Sequence, residues 1–232
     1  MRFLVTAGNT REKIDRVRDW GNIFTGNTGF SIAQAISPLG EVDLITSNQT
    51  HLAEAAEKGV KAIAFTSHQE LKAALEGALK QNQYDAIFMS AAIADYKPAG
   101  SYQVLDRKRG AEGEETWTVR SVDAGKVKSN YDRIAVLGER TEKLVDLFRT
   151  AWGYRGLLVK FKLEVDIEPK QLIQIGQASR KASGADYLVA NTLDMVSGDR
   201  AGAYLLSDAG EEWVPRAQLP ECLKRLLQDS LA

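Results

Sequence analysis

The opening of the chain restricts its possible folds more than any later stretch. Phe3-Leu4-Val5 is a short apolar run of strand character that empties into Thr6-Ala7-Gly8-Asn9-Thr10. A polar, charged stretch follows and ends in Asn22-Ile23-Phe24-Thr25-Gly26-Asn27-Thr28-Gly29. Beyond it Phe30, Ile32, Ala33 and Ile36 recur at helical spacing. Strand, glycine-bearing loop and helix are the local plan of a nucleotide site. Glycine lets backbone approach phosphate, and a helix N-terminus offers unpaired N–H groups with a partial positive charge. The loop runs to about twenty residues, where such connections usually take roughly 2–6. Arg11, Lys13, Arg16, Arg18 and Asn22 give it cations and an amide that suit an anion. A solvated Ω-loop carries the same composition, and the loop by itself leaves both readings open.

The remainder alternates. Val42 to Thr46 reads as a strand, Leu52, Ala55 and Ala56 as a short helix ending near Gly59, and Val60 to Phe65 as a strand. Glu70 to Leu79 is helical, with Leu71, Ala74, Leu75 and Leu79 on one face. Tyr84 to Ser90 is almost wholly apolar at Ala86-Ile87-Phe88-Met89, as suits a central strand of a parallel sheet. Further strands are expected at Ile134–Leu137, Gly156–Phe161 and Tyr187–Asn191, with helices at 142–149 and 172–181. A late hairpin, 203–206 with 212–215, precedes a terminal helix from Leu219. The rhythm implies a doubly wound, mostly parallel Rossmann-like α/β sheet with helices on both faces. Residues of about 100–130 break the rhythm. There Tyr102–Leu105 and Thr116–Val119 flank a charged turn and are expected to form a projecting β-hairpin and flap, either a dimer arm or a mobile surface hairpin. The whole chain, 1–232, is expected to form one domain around this sheet.

Two more places carry chemistry. Ser90-Ala91-Ala92-Ile93-Ala94-Asp95 puts small residues and then a carboxylate at the carboxyl edge of a parallel strand, where ligands bind in open α/β sheets. A tightly packed strand end with Asp95 as a cap is the alternative. Gly125-Lys126 sets a cation in a glycine-bearing segment, able to swing over a triphosphate or simply to face water.

Composition narrows the classes. With 44% hydrophobic and 26% charged residues the chain is ordinary for a globular protein. A net charge of −1 gives no bulk attraction to nucleic acid. Cys222 is the only cysteine and His51 and His68 the only histidines, so neither an intrachain disulfide nor a zinc cluster is expected. The N-terminus lacks a signal core, no run reaches the length of a membrane span, and a cytoplasmic location is expected.

The blocks also resemble a family. Gly8-Asn9-Thr10-Arg11-Glu12 with Ile14-Asp15 and Val17-Arg18, then Asn22 and Thr25-Gly26-x-x-Gly29, are similar to the opening of phosphopantothenoylcysteine synthetases. That opening begins Gly-Gly-Thr, continues Ile-Asp-x-Val-Arg and reads Asn-x-Ser-Ser/Thr-Gly-x-x-Gly. Asn9 departs from its second glycine and Phe24 from a serine that contacts nucleotide in relatives. Ala91-Ala92-Ile93-Ala94-Asp95-Tyr96, Gly125-Lys126-Val127-Lys128, Phe161-Lys162-Leu163-Glu164 and Val189-Ala190-Asn191 match four further blocks, in order.

The resemblance, to a stand-alone form, implies a ligase. It joins 4′-phosphopantothenate to cysteine through an acyl-nucleotide made from CTP or ATP with Mg²⁺, in coenzyme A biosynthesis. It implies Asn22, Lys126 and Arg18 as catalytic residues. Gly8, Thr25, Gly26, Gly29, Phe161 and Asn191 would bind the nucleotide, and Asn22, Ala91, Ala92 and Asp95 the phosphopantothenate. It also implies a homodimer; no protein metal ligands are read in the chain. Asn22, Asp95 and Asn191 should then share one pocket. A non-catalytic nucleotide- or pantothenate-binding relative is an alternative. So is a short-chain-type NAD(P) oxidoreductase, though no tyrosine is followed four residues later by lysine. A P-loop NTPase is excluded by the lack of Gly-Lys-Ser/Thr.

Overall fold

A computed structural model of the protein describes residues 1–58, 60–122, 125–199 and 201–231. Five parallel strands follow the expected alternation: β1 (Arg2–Ala7), β4 (Glu41–Thr46), β5 (Lys61–Ala64), β6 (Ala86–Met89) and β10 (Leu157–Glu164). β11 (Tyr187–Thr192) pairs parallel to β10, and the hairpin β12 (Gly202–Ser207) and β13 (Gly210–Pro215) adds antiparallel to it. The eight strands run β13-β12-β11-β10-β6-β1-β4-β5. The fold is the expected mostly parallel α/β sheet.

Side-chain alternation along the strands sorts the core into two layers. Phe3, Val5 and Ala7 of β1 and Phe88 of β6 face α1 (Asn27–Ile36) and α6 (Leu219–Ser230). Leu4, Ile87 and Leu158 face the opposite layer, built from α3 (His68–Gln81) and α4 (Leu144–Thr150). α5 (Pro169–Ser183) covers β11 and β12 on its own apolar patch of Leu172, Leu188, Ala190 and Leu206. β6 is buried at all four residues, as its unbroken apolar run requires. The short helix α2 spans Gln49–Glu57; Gly59, where it was expected to end, lies outside the described residues.

Three elements differ from the sequence reading. The long first loop contains a small antiparallel hairpin, β2 (Arg11–Lys13) with β3 (Asp19–Gly21). Its strands are too short and polar to show any period. β7 (Tyr96–Arg109) is far longer than expected and pairs with β8 (Glu115–Ser121) as a projecting arm. β9 (Ile134–Arg140), read as another strand of the alternating series, instead pairs antiparallel with β7 in that separate three-stranded sheet. Its Ile134 and Leu137 are 42% and 50% exposed, so the apolar run is not a core run.

Helix α1 can sit against the sheet only because its third residue has no side chain. A Cβ on Gly29 would lie 2.7 Å from the Thr6 carbonyl oxygen. Gly29→Ala is therefore expected to cost about 1–3 kcal/mol of stability by overpacking. The check is a lower denaturant midpoint at unchanged m-value; an unaltered midpoint would show that helix and strand separate freely.

Candidate active site

The strand order reverses between β1 and β6. From β1 the chain passes through α1 to β4 on one side, and from β6 it reaches β10 on the other. Crevices outside the carboxyl ends of strands at such a point are where open α/β sheets bind ligands. A cleft of about 320 Å³ opens there. Gly8, Thr25, Gly26, Gly29, Ala91, Ala92, Phe161 and Asn191 all line it, so the glycine turn, the carboxyl edge of β6 and the two later blocks are brought together. A roomier depression of about 640 Å³, bordered by Tyr84, Asp85, Gly156 and Asp186, lies at the opposite, amino ends of the strands and has no glycine turn.

The cleft floor is made by backbone. The Ala92 N–H donates to the Gly8 carbonyl at 2.9 Å, and the Thr10 N–H to the Ala92 carbonyl at 3.1 Å. The Ala94 N–H bonds Thr10 Oγ1 at 2.8 Å, and Thr141 Oγ1 donates to the Ala94 carbonyl at 2.6 Å. The two loops are thus zipped together from Gly8 to Ala94. Above them Gly26 has φ 85°. A Cβ there would lie 2.6 Å from Gly8 Cα and 2.9 Å from the Ala7 carbonyl carbon. Both the backbone angle and the space demand glycine. No side chain caps α1 and no acidic residue stands in its first turn. The first-turn N–H groups are left for an anion in the cleft.

From behind, the turn is braced by the segment after β4. Ser47 Oγ accepts from the Asn9 N–H at 2.9 Å, and Asn48 Nδ2 donates to the Thr25 carbonyl at 3.0 Å. Asn9 Nδ2 donates to the Asn22 carbonyl, a bond the departing asparagine makes and a glycine could not.

Four expected site residues lie outside the cleft lining. Asn22 is exposed and directly precedes Ile23, which does line it. Asp95 is exposed, three residues past Ala92, and its carbonyl accepts from the Thr141 N–H at 2.9 Å. Asn22, Asp95 and Asn191 therefore do not share one lining. Lys126 is exposed. Arg18 is engaged elsewhere: its Nε lies 3.0 Å from Asp15 Oδ2, and its guanidinium donates to the Val127 carbonyl.

That last contact belongs to a clamp. The Asp15 carboxylate, its side chain fully buried, accepts from the Val17 and Arg18 N–H groups at 2.8 and 2.9 Å and from the Val127 N–H at 3.0 Å. The Arg16 N–H bonds the Gly125 carbonyl at 3.1 Å. The segment expected to be a swinging flap is thus tied down on both sides of Lys126, whose side chain is exposed.

Sequence reasoning missed Asn27, Ser90, Lys162, Met195, Val196, Arg216 and Leu219, all of which line the cleft. Asn27 and Ser90 sat inside quoted motifs. Met195 and Val196 lie in the turn after β11, and Arg216 and Leu219 had no signal, because only the antiparallel hairpin returns them to the cleft.

Hydrogen bonding by Val127, and then by Val17 and Arg18, holds the Asp15 carboxyl well below the usual carboxylate range, against its burial. A depressed folded-state pKa means the clamp is fully present above the ordinary carboxylate pKa and is lost only as pH falls through the lower folded value. Asp15→Asn removes the charge that Arg18 and Val127 share. Amide exchange at Val127 is expected to quicken at neutral pH while α1 amides keep their wild-type rates. Unchanged exchange at Val127 would show that the clamp does not hold the lysine segment.

Comparison with known proteins agrees with this architecture. The chain is 26% identical over 226 residues to the coenzyme A biosynthesis bifunctional protein CoaBC of Thermococcus kodakarensis, covering 97% of this chain and 49% of that protein. It is 36% identical over 116 residues to the CoaBC of Mycobacterium tuberculosis, covering 50% of this chain and 27% of that protein. The chain thus spans about half, or less, of the curated relatives it matches. In fold it is similar to the DNA/pantothenate metabolism flavoprotein from Streptococcus pneumoniae, at TM-score 0.77, 23% identity and 99% of each chain. It is also similar to a Cab2 mutant in complex with phosphopantothenate-cysteine, at TM-score 0.65 and 15% identity over 97% of this chain and 85% of that one. The family resemblance carried by the five sequence blocks is borne out. With a family model described as DNA/pantothenate metabolism flavoprotein C-terminal domain matching residues 1–231, the chain belongs to that family.

Proposed function

We propose that the chain is a phosphopantothenate–cysteine ligase of coenzyme A biosynthesis that works through an acyl-nucleotide. One observation carries the reading. A glycine turn, an uncapped helix N-terminus, a small-residue strand edge and the Phe161/Asn191 strand ends meet in one cleft at the switch point. The names of the coenzyme A relatives and the phosphopantothenate-cysteine bound in the Cab2 complex support the same chemistry.

In the first step the phosphopantothenate carboxylate attacks the α-phosphorus of CTP or ATP. A new P–O bond forms, the bond to the bridging oxygen breaks, and pyrophosphate leaves. In the second step the cysteine amine attacks the activated carbonyl, loses a proton and expels the nucleoside monophosphate. The α1 N–H groups and the Gly8 and Gly26 backbone hold phosphate oxygens, while Phe161 and Asn191 flank the nucleotide. Ala91 and Ala92 leave room for phosphopantothenate, with Asp95 at the outer edge of its path.

Lys126, on its tied segment, supplies a point charge to the developing phosphate charge. Arg18 serves that lysine through the Val127 carbonyl. Asn22, at the rim, donates its amide to the acyl-phosphate. Among the described residues no group of three or more His, Cys, Asp or Glu side chains is placed to hold a metal. Mg²⁺ would be carried on the triphosphate, where it neutralises charge.

The exposed Leu105, Trp117 and Val119 of the arm support a homodimer built through that arm. No helix among the described residues is long and apolar enough to cross a membrane.

The assay is pyrophosphate release with CTP or ATP. Release is expected with phosphopantothenate present, and amide product only when cysteine is added. NAD(P)H should have no effect, and nucleotide binding without pyrophosphate release would mark a non-catalytic relative. Asn22→Asp should keep the fold and lower turnover by about 10²-fold or more, because a carboxylate cannot donate and repels the intermediate. Near-wild-type turnover in that variant would remove Asn22 from the mechanism.

A further inference from the structure

His51 is buried, 5% exposed, and none of the proposed steps uses it. It sits on α2, and its ring stacks flat on Phe30 of α1, centroids 4.3 Å apart and planes within 4°. Its Nε2 lies 3.1 Å from Asn27 Oδ1. Its Nδ1 is buried with no hydrogen-bond partner among the described residues. Asn27 is the first residue of α1, is exposed, and lines the cleft.

The tautomer follows from these contacts. A proton on Nδ1 would be a buried donor with no acceptor, which is costly. On Nε2 the proton meets the Asn27 amide oxygen. Asn48 Nδ2, 3.4 Å from the same Nε2, has its better acceptor in the Thr25 carbonyl at 3.0 Å and does not need the imidazole lone pair. Burial also pushes the His51 pKa down, against the weaker upward pull of Glu54, which keeps the ring neutral. With its oxygen turned back to His51, the Asn27 amide has only its NH₂ left to present to the cleft, beside N–H groups that no side chain caps.

We infer that His51 is a positioning residue that, as the Nε2–H tautomer, fixes the Asn27 side chain as a hydrogen-bond donor to a phosphate group of the nucleotide in the cleft. The inference rests on the ligase reading for the identity of that anion. It adds a side-chain donor to a turn otherwise built from backbone, and it assigns the selection of that donor's orientation to a residue that never touches the ligand.

The test uses the full chain, three single variants and the double variant of His51→Phe with Asn27→Ala. His51→Phe keeps a ring on Phe30 and removes the donor. His51→Gln keeps a donor and removes the ring. Asn27→Ala removes the amide at an exposed position. Calorimetric dissociation constants for CTP, ATP and inorganic pyrophosphate are measured beside KM values for nucleotide and cysteine, and thermal midpoints monitor the fold.

His51→Phe and Asn27→Ala are each expected to weaken nucleotide binding about five- to tenfold, the size of one hydrogen bond. The cysteine KM should not move. The double variant should be no worse than Asn27→Ala alone, and His51→Gln should recover part of the loss. Imidazole ¹⁵N shifts should show a protonated Nε2 and a bare Nδ1.

Unchanged nucleotide affinity in His51→Phe, fully additive losses in the double variant, or a proton on Nδ1 would each overturn the inference. Nucleotide binding that responds as expected without any pyrophosphate release would overturn the ligase reading and leave the positioning role standing. A wild-type chain that binds none of the three anions would overturn the positioning role directly.

Discussion

The approach of Gly26 to Gly8 is the contact on which the site depends. The two ends of the long first loop meet there with no side chain between them, which sets how closely α1 can bring its first turn to the end of β1. Once that distance is set, Gly29 seats the helix against Thr6, and the Gly8–Ala92 and Thr10–Ala92 hydrogen bonds fasten the edge of β6 to the same loop. The floor of the cleft is therefore defined by backbone. Preorganised backbone donors act on developing charge without reorganising at the moment of reaction.

Around this core stands a ring of supports whose members never enter the cleft. Asp15 and Arg18 hold the lysine-bearing segment, and Ser47 and Asn48 hold the glycine turn from the rear. Glu12 accepts from the His68 N–H at 2.6 Å, joining the β2–β3 hairpin to the start of α3. Trp20 of that hairpin packs on the Gly138 backbone of β9, so the hairpin also leans on the arm. The middle of the first loop is a brace, while its two ends, Gly8 and Thr25-Gly26, line the cleft. Lys13 pairs with Asp19 and Asp15 with Arg18, and Glu12 is held by the His68 N–H, so the carboxylates of the charge run that are buried have partners.

How much of this was legible depended on whether a residue's role is local. Gly8, Gly26 and Gly29 announced themselves because tight approach needs glycine within a short window. Ala91 and Ala92 stand out as small residues at a strand end, whose location in a parallel sheet is known once the alternation is recognised, whereas Phe161 and Asn191 were named only through the family resemblance. β9 was misplaced because Ile134-Ala135-Val136-Leu137 has the composition of a core strand, and its exposure is decided by a partner, β7, that periodicity cannot name. The role of Arg18 was hidden for the same reason: its acceptor, the Val127 carbonyl, is more than a hundred positions away. Arg216 and Leu219 reach the cleft only through a hairpin that reverses the chain twice.

The arm has one more consequence. β6 and β10 lie side by side in the sheet, and their carboxyl ends border the ligand cleft, yet residues 90–156 separate them, with the whole three-stranded arm inside that span. Closing so long an excursion raises the contact order of the central pairing, and non-local pairing slows folding. The left half of the sheet, β1 with β4 and β5, can assemble from near neighbours, while the seam through the middle has to wait for the distant half to arrive.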